Sequence, residues 1–306
     1  MLSAREISTS SRLLFAALLL FVGVTFARAT GAPVALTTLD FPGAKTTLAY
    51  GINANGDVVG TYVDTNSKNH GFLLTAGLYS SIDPPGSLFT EARGINEDGD
   101  IVGDFVASDG KLHGFFLGRE GFKDISVSGH LNTIPVKISS EGVIVGCYHD
   151  TDTMGTMHGF VRNEDSLTVY PTPASMHNGI TPRGDVAGFF TDLMTMQTHG
   201  YIISKGETTQ VNFPGSSATR VWDLNPRREA VGFYLDPATH VFRGFRYHKG
   251  QFTPIDVPSA RRTLPFGINP EGDVVGAYAD QNGKTHGFLL SRQEDEEGKD
   301  ERVEDE

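Results

Sequence analysis

Gly51-Ile52-Asn53-Ala54-Asn55-Gly56-Asp57-Val58-Val59-Gly60, followed by His70-Gly71-Phe72, is the stretch that decides the fold. Asn53-Ala54-Asn55-Gly56 is a tight-turn signal, with glycine where the backbone needs positive φ. It separates two short apolar runs, Thr47 to Asn53 and Asp57 to Val63. His70 to Thr75 supplies a third run beyond a second turn signal at Asp64-Thr65-Asn66. A fourth precedes them, from Val34 to Asp40. The unit therefore reads as four short strands, a, b, c and d.

The unit recurs. His-Gly-Phe stands at His70, His113, His158 and His286, with His-Gly-Tyr at His199 and Arg-Gly-Phe at Arg243, spaced 43, 45, 41, 44 and 43 residues apart. Gly94-Ile95-Asn96 with Gly99-Asp100-Ile101-Val102-Gly103 repeats the upstream marker, as does Gly267-Ile268-Asn269 with Gly272-Asp273-Val274-Val275-Gly276. A third marker recurs as Leu39-Asp40-Phe41-Pro42-Gly43, Ile82-Asp83-Pro84-Pro85-Gly86, Val211-Asn212-Phe213-Pro214-Gly215 and Ile255-Asp256-Val257-Pro258. Four strands per unit of about 40 to 50 residues, used six times, predict an all-β, six-bladed β-propeller of four-stranded antiparallel blades. The repeats run over 34–74, 75–117, 118–162, 163–203, 204–247 and 248–290. A β-solenoid has parallel rungs and no tight b–c hairpin, which counts against it. With strand b innermost, each blade is b, c, d and the next copy's a, and the N-terminal strand closes the ring beside the last strand d.

These residues resemble the bacterial extracellular HAF repeat family over Val34 to Leu290, with His-Gly-Phe in place of that pattern's His-Ala-Phe. The resemblance implies export and a propeller-like fold. It implies no reaction and no catalytic residue.

Both ends read differently from the repeats. Arg5 and Arg12 precede a 14-residue apolar run, Leu13 to Phe26, and Ala27-Arg28-Ala29. A basic region, a short apolar region and a small-residue cleavage site predict a signal peptide over 1–29 and a secreted or periplasmic chain starting at Thr30, with no membrane insertion after cleavage. Ser291 to Glu306 holds nine acidic and three basic side chains, half of the net charge of −12, and reads as a disordered acidic tail. The acidic balance argues against nucleic acid as a partner. A single cysteine cannot form an internal disulfide, so an exported chain relies on its core.

The repeated histidines suggest a metal ring, but equivalent positions converge on one ion only if all lie at the axis. A histidine opening each strand d is better suited to capping a turn or bonding backbone within its blade. The acidic b–c turns, such as Asn96-Glu97-Asp98-Gly99-Asp100, lack calcium-loop spacing and follow from turn chemistry. No elbow, zinc or phosphate-loop motif is present. The fifth copy departs most, with Arg228 for the turn glycine, Arg243 for the histidine, and Trp222 at an aromatic core position.

One cluster breaks the repetition. Every methionine except Met1 lies between Met154 and Met196, interleaved with histidines and preceded by the only cysteine. Cys147, His149, Met154, Met157, His158, Met176, His177, Met194 and Met196 offer thiol, thioether and imidazole, which suit a soft ion such as copper(I). The blade topology puts Met154 and Met157 in the c–d loop of copy three, Met176 and His177 in the a–b loop of copy four, and Met194 and Met196 in its c–d loop, all on one face. The competing reading is adaptable apolar packing. The leading expectation is a non-catalytic, cofactor-free, monomeric binding or scaffold module for a glycan or an envelope protein. The alternatives are the copper site, and a propeller-type hydrolase or lyase with titratable groups converging near the axis.

Overall fold

The computed structural model describes residues 34–151, 156–164 and 166–292. The segment read as a signal peptide, Met154 and nearly all of the acidic tail lie outside these residues. In the first blade β2 (Thr46–Ile52), β3 (Val58–Val63), β4 (Asn69–Thr75) and β5 (Leu78–Ile82) pair in that order, every neighbour antiparallel. The same order recurs in blades beginning at β6 (Phe89–Ile95), β10 (Leu131–Ile138), β14 (Ser175–Ile180), β18 (Thr219–Leu224) and β22 (Arg262–Ile268). The chain is a six-bladed β-propeller.

The sixth sheet runs β22, β23 (Val274–Ala279), β24 (Thr285–Arg292), β1 (Val34–Leu39). β1 pairs with β24 from Val34 opposite Arg292 to Leu39 opposite Gly287. Strand b is therefore innermost and the first strand closes the last blade, as the marker order predicts. Closure leaves no blade at an open end of the ring.

The repeat markers have direct physical causes. In the b–c turn, Asn53 Oδ1 accepts from Asp57 N–H while its amide donates to the Asn96 carbonyl of the next blade, 2.9 Å away. Asn96 reaches Ser139 and Asn225 reaches Asn269 in the same way. One side chain thus closes its own turn and staples adjacent blades. Gly60 is required because a Cβ there would stand 2.0 Å from the Leu48 carbonyl oxygen and 2.7 Å from the Phe72 ring. That ring is fully buried, as are its equivalents Phe115, Phe160, Phe245 and Phe288.

The marker histidines bond within their blades, but to side chains rather than backbone. Nδ1 of His70, His113 and His286 lies 2.7, 3.2 and 2.8 Å from Asp83, Asp124 and Asp40 on the adjoining a segment. Arg243 with Asp256, 3.8 Å apart, preserves this pair where the fifth copy lacks histidine. Arg228 adopts the turn glycine's conformation at φ 60° and reaches Asp185, 3.2 Å away.

Candidate functional site

All six b strands carry a β-bulge midway, so several successive side chains turn toward the axis. Aligned copies give three levels. Nearest the a–b and c–d loops stand Leu48, Glu91, Ile134, Met176, Arg220 and Leu264. Below them come Tyr50, Arg93, Val136, Asn178, Trp222 and Phe266. At the waist are Gly51, Gly94, Lys137, Gly179, Asp223 and Gly267.

The waist shows why glycine recurs. A Cβ on Gly51 would stand 2.8 Å from the Arg93 carbonyl oxygen, and one on Gly94 would stand 2.7 Å from that of Val136. Two copies break this rule with opposite charges. Lys137 Nζ reaches Asp223 Oδ2 at 2.6 Å, across from the third blade to the fifth. The same oxygen accepts from Ile268 N–H and Oδ1 accepts from Leu224 N–H, so the buried carboxylate is well supplied with donors. Burial pushes the Asp223 pKa upward, against the opposing pull of Lys137. Beyond this pair, toward the b–c loops, lies a cavity of about 50 Å³ ringed by Ile52, Ile95, Ile138, Ile180, Leu224 and Ile268.

Above the waist the wall divides into a charged side and an aromatic side. Glu91 lies directly opposite Asp104 on β7 (Ile101–Val106), a like-charge juxtaposition that Arg93 bridges by bonding both carboxylates. Burial raises Asp104 to about 7, with Arg93 opposing and Glu91 reinforcing the rise. Tyr50 donates to Glu91 and lies under the Arg93 guanidinium, 5.3 Å from ring centre to Cζ. Across the axis, Trp222 lies 5.0 Å from Phe266, 5.4 Å from Phe233 and 6.4 Å from Phe189, and Phe266 lies 5.1 Å from Tyr50. Trp222 is half-buried, so it forms part of this wall as well as of the core.

The sulfur and imidazole candidates separate into different surroundings. Cys147 on β11 (Ile144–His149), Met157 on β12 (Met157–Arg162) and Met176 on β14 meet in one buried apolar cluster with Val136 and Phe189. Met157, Met176 and His177 are strand residues, which corrects their expected place in loops. Blade pairing continues further along these edges than the polar residues suggest. Burial pushes the Cys147 thiol up to about 12, and the protonated form is a poor metal ligand. His149 ends β11 and His158 Nε2 bonds Asp150, 2.9 Å away. His177 is buried against Tyr201, its Nδ1 2.7 Å from the hydroxyl. Met194 and Met196 are exposed between β15 (Val186–Thr191) and β16 (Thr198–Ser204). Among the described residues, no group of three His, Cys, Asp or Glu side chains is arranged to hold a metal.

The propeller has many structural counterparts. The β-propeller domain of the trilobed protease from Pyrococcus furiosus superposes with a TM-score of 0.52 at 10% identity, over 84% of this chain and 96% of that one. AofleA from Arthrobotrys oligospora gives 0.52 at 10%, over 86% and 89%. An Aleuria aurantia lectin mutant in complex with Fucα1-6GlcNAc gives 0.48 at 12%, over 80% and 94%. At such identities the likeness concerns the fold. No family model matches the sequence, and no curated protein does.

Sequence reasoning missed the waist pair and the axial arginines. The signal was present, since Lys137 and Asp223 interrupt a column of glycines. Reading it requires aligning the b strands residue by residue through their bulges.

Proposed function

We propose that this chain is an exported, non-catalytic binding module, a variant of the HAF repeat type, which recognises a glycan or an envelope protein through the face carrying its a–b and c–d loops. The distribution of exposed apolar side chains carries this reading. Leu88, Leu131, Leu193, Met194 and Met196 are large, apolar and exposed on that face. The other exposed large apolar residues among those described, Leu36, Leu78, Leu167 and Val169, lie on outer strands, and none lies on the b–c loops. Exposed apolar side chains gathered at one end of a rigid scaffold mark a contact surface.

The hydrolase or lyase alternative would use titratable groups near the axis, and Glu91, Arg93 and Asp104 are such groups. Both carboxylates are engaged by Arg93, and the Asp104 side chain is only 2% exposed. Although Asp104 is raised to about 7, a carboxyl so enclosed is out of hydrogen-bond reach of a bound substrate.

The test applies the mature chain from Thr30 to a glycan array and to envelope extract, beside a Leu88→Glu, Leu131→Glu, Met194→Glu variant and a Leu78→Glu control on the outer rim. The reading expects at least about tenfold weaker capture by the triple variant and unchanged capture by the control. Equal capture by both variants, or turnover of a hydrolase or lyase substrate panel, would overturn it.

A further inference from the structure

Among the described residues, Arg220 is the one axial charge above the waist with no carboxylate beside it. It stands on β18 at the level nearest the a–b and c–d loops, where four other copies carry Leu48, Ile134, Met176 and Leu264 and the second carries Glu91. Its guanidinium carbon lies 4.9 Å from the ring centre of Phe189 and 5.9 Å from those of Phe233 and Phe242. Its Nε is buried and without a hydrogen-bond partner among the described residues. Burial alone pushes its pKa downward, since no neighbouring charge opposes the desolvation.

The contrast with Arg93 is chemical. Arg93 lies over a ring and bonds two carboxylates, so both its charge and its edge donors are satisfied. Around Arg220 the described neighbours are rings, with no carboxylate paired to it. Aromatic faces attract the cation but leave the in-plane N–H groups of the fork without acceptors. An unpaired cation held in apolar surroundings is costly, and an acceptor with two coplanar oxygens removes that cost. Beside it, Trp222 and Phe266 offer a half-buried and a buried aromatic surface.

We infer that Arg220 and its aromatic surroundings form a binding site for an aromatic carboxylate. The carboxylate takes the guanidinium edge, and the ring packs on Trp222. The site lies at the axial mouth of the binding face and rests on the reading of that face given above.

The chain contains one tryptophan, so its fluorescence reports on this wall alone. Benzoate, benzyl alcohol, benzylammonium and inorganic phosphate are titrated against the mature protein, with calorimetry as a second readout. Benzoate is expected to saturate below about 10 mM and to bind at least about tenfold more tightly than benzyl alcohol or benzylammonium. Phosphate is expected to bind more weakly than benzoate, having no ring to bury. Arg220→Leu installs the residue of two sister copies and is expected to weaken benzoate at least about tenfold, with Arg220→Lys intermediate. Equal binding of benzoate and benzyl alcohol would reveal a merely apolar pocket and overturn the assignment without recourse to any variant. Tighter phosphate binding, no saturation, or unchanged affinity in a folded Arg220→Leu variant would also overturn it. Failure of benzoate alongside capture that the Leu88, Leu131 and Met194 substitutions abolish sinks only this site. Benzoate binding alongside capture insensitive to those substitutions sinks only the face reading.

Discussion

His177 should make the propeller acid-sensitive. Five sister copies carry Ala49, Ala92, Pro135, Val221 and Pro265 at its position, and phenylalanine where the fourth copy has Tyr201. The two exceptions occur together. The Tyr201 hydroxyl donates to the Met176 carbonyl, 3.1 Å away, and so accepts from His177 Nδ1–H at 2.7 Å. Desolvation in this buried site lowers the imidazole from 6.5 to about 4. Above pH 6.5 both folded and unfolded chains hold it neutral. As pH falls toward 4 the unfolded chain takes up the proton and the folded chain does not, so stability falls with pH across that window. At ~1.4 kcal/mol per pH unit, a span from 6.5 to about 4 amounts to about 3 kcal/mol. The assay is equilibrium urea unfolding at pH 7, 5.5 and 4.5, comparing the chain from Thr30 onward with its His177→Val, Tyr201→Phe variant, which restores sister-copy residues at both sites. The double variant changes baseline stability, so the readout is the difference in pH dependence. The natural chain should lose about 2 to 3 kcal/mol more than the variant between pH 7 and 4.5. Parallel profiles within about 0.5 kcal/mol, the usual margin of such measurements, would refute the argument.

Three further outcomes are expected. Lys137→Gly should cost about 3 to 5 kcal/mol because it leaves Asp223 buried and unpaired, whereas Lys137→Gly with Asp223→Gly should cost less than the single change; a denaturant double-mutant cycle measures the coupling. Gly60→Ala should destabilise by more than about 4 kcal/mol or prevent folding, while Gly56→Ala, at φ +81° in open space, should cost about 1 kcal/mol, the two being compared by urea unfolding. Cys147, wholly buried with its thiol raised to about 12, should resist thiol reagents in the native state and react at once in urea; rapid native labelling would show the cluster to be open.

The sequence by itself determined the number of blades, their strand order and the closing strand. Each copy is an independent statement of the same local rule. The Asn of the b–c turn in four copies, the glycine beneath the buried ring in all six and the histidine on strand d in five act over a few residues or between neighbouring blades, so repetition makes them legible. Export and the acidic tail also rest on linear patterns, and they remain readings of the sequence. Only the tertiary structure decided what the differences between copies do. Lys137 and Asp223 are 86 residues apart and become partners because a closed ring brings the third and fifth blades to one axis. Cys147, Met157 and Met176 read as soft ligands in the sequence, and strand pairing places them together in one buried apolar cluster. Arg220 drew no notice in the sequence, where the fifth copy stood out only through Arg228, Arg243 and Trp222. Three rings drawn from two blades surround it and leave its Nε without a partner among the described residues, a property that depends on packing across blades.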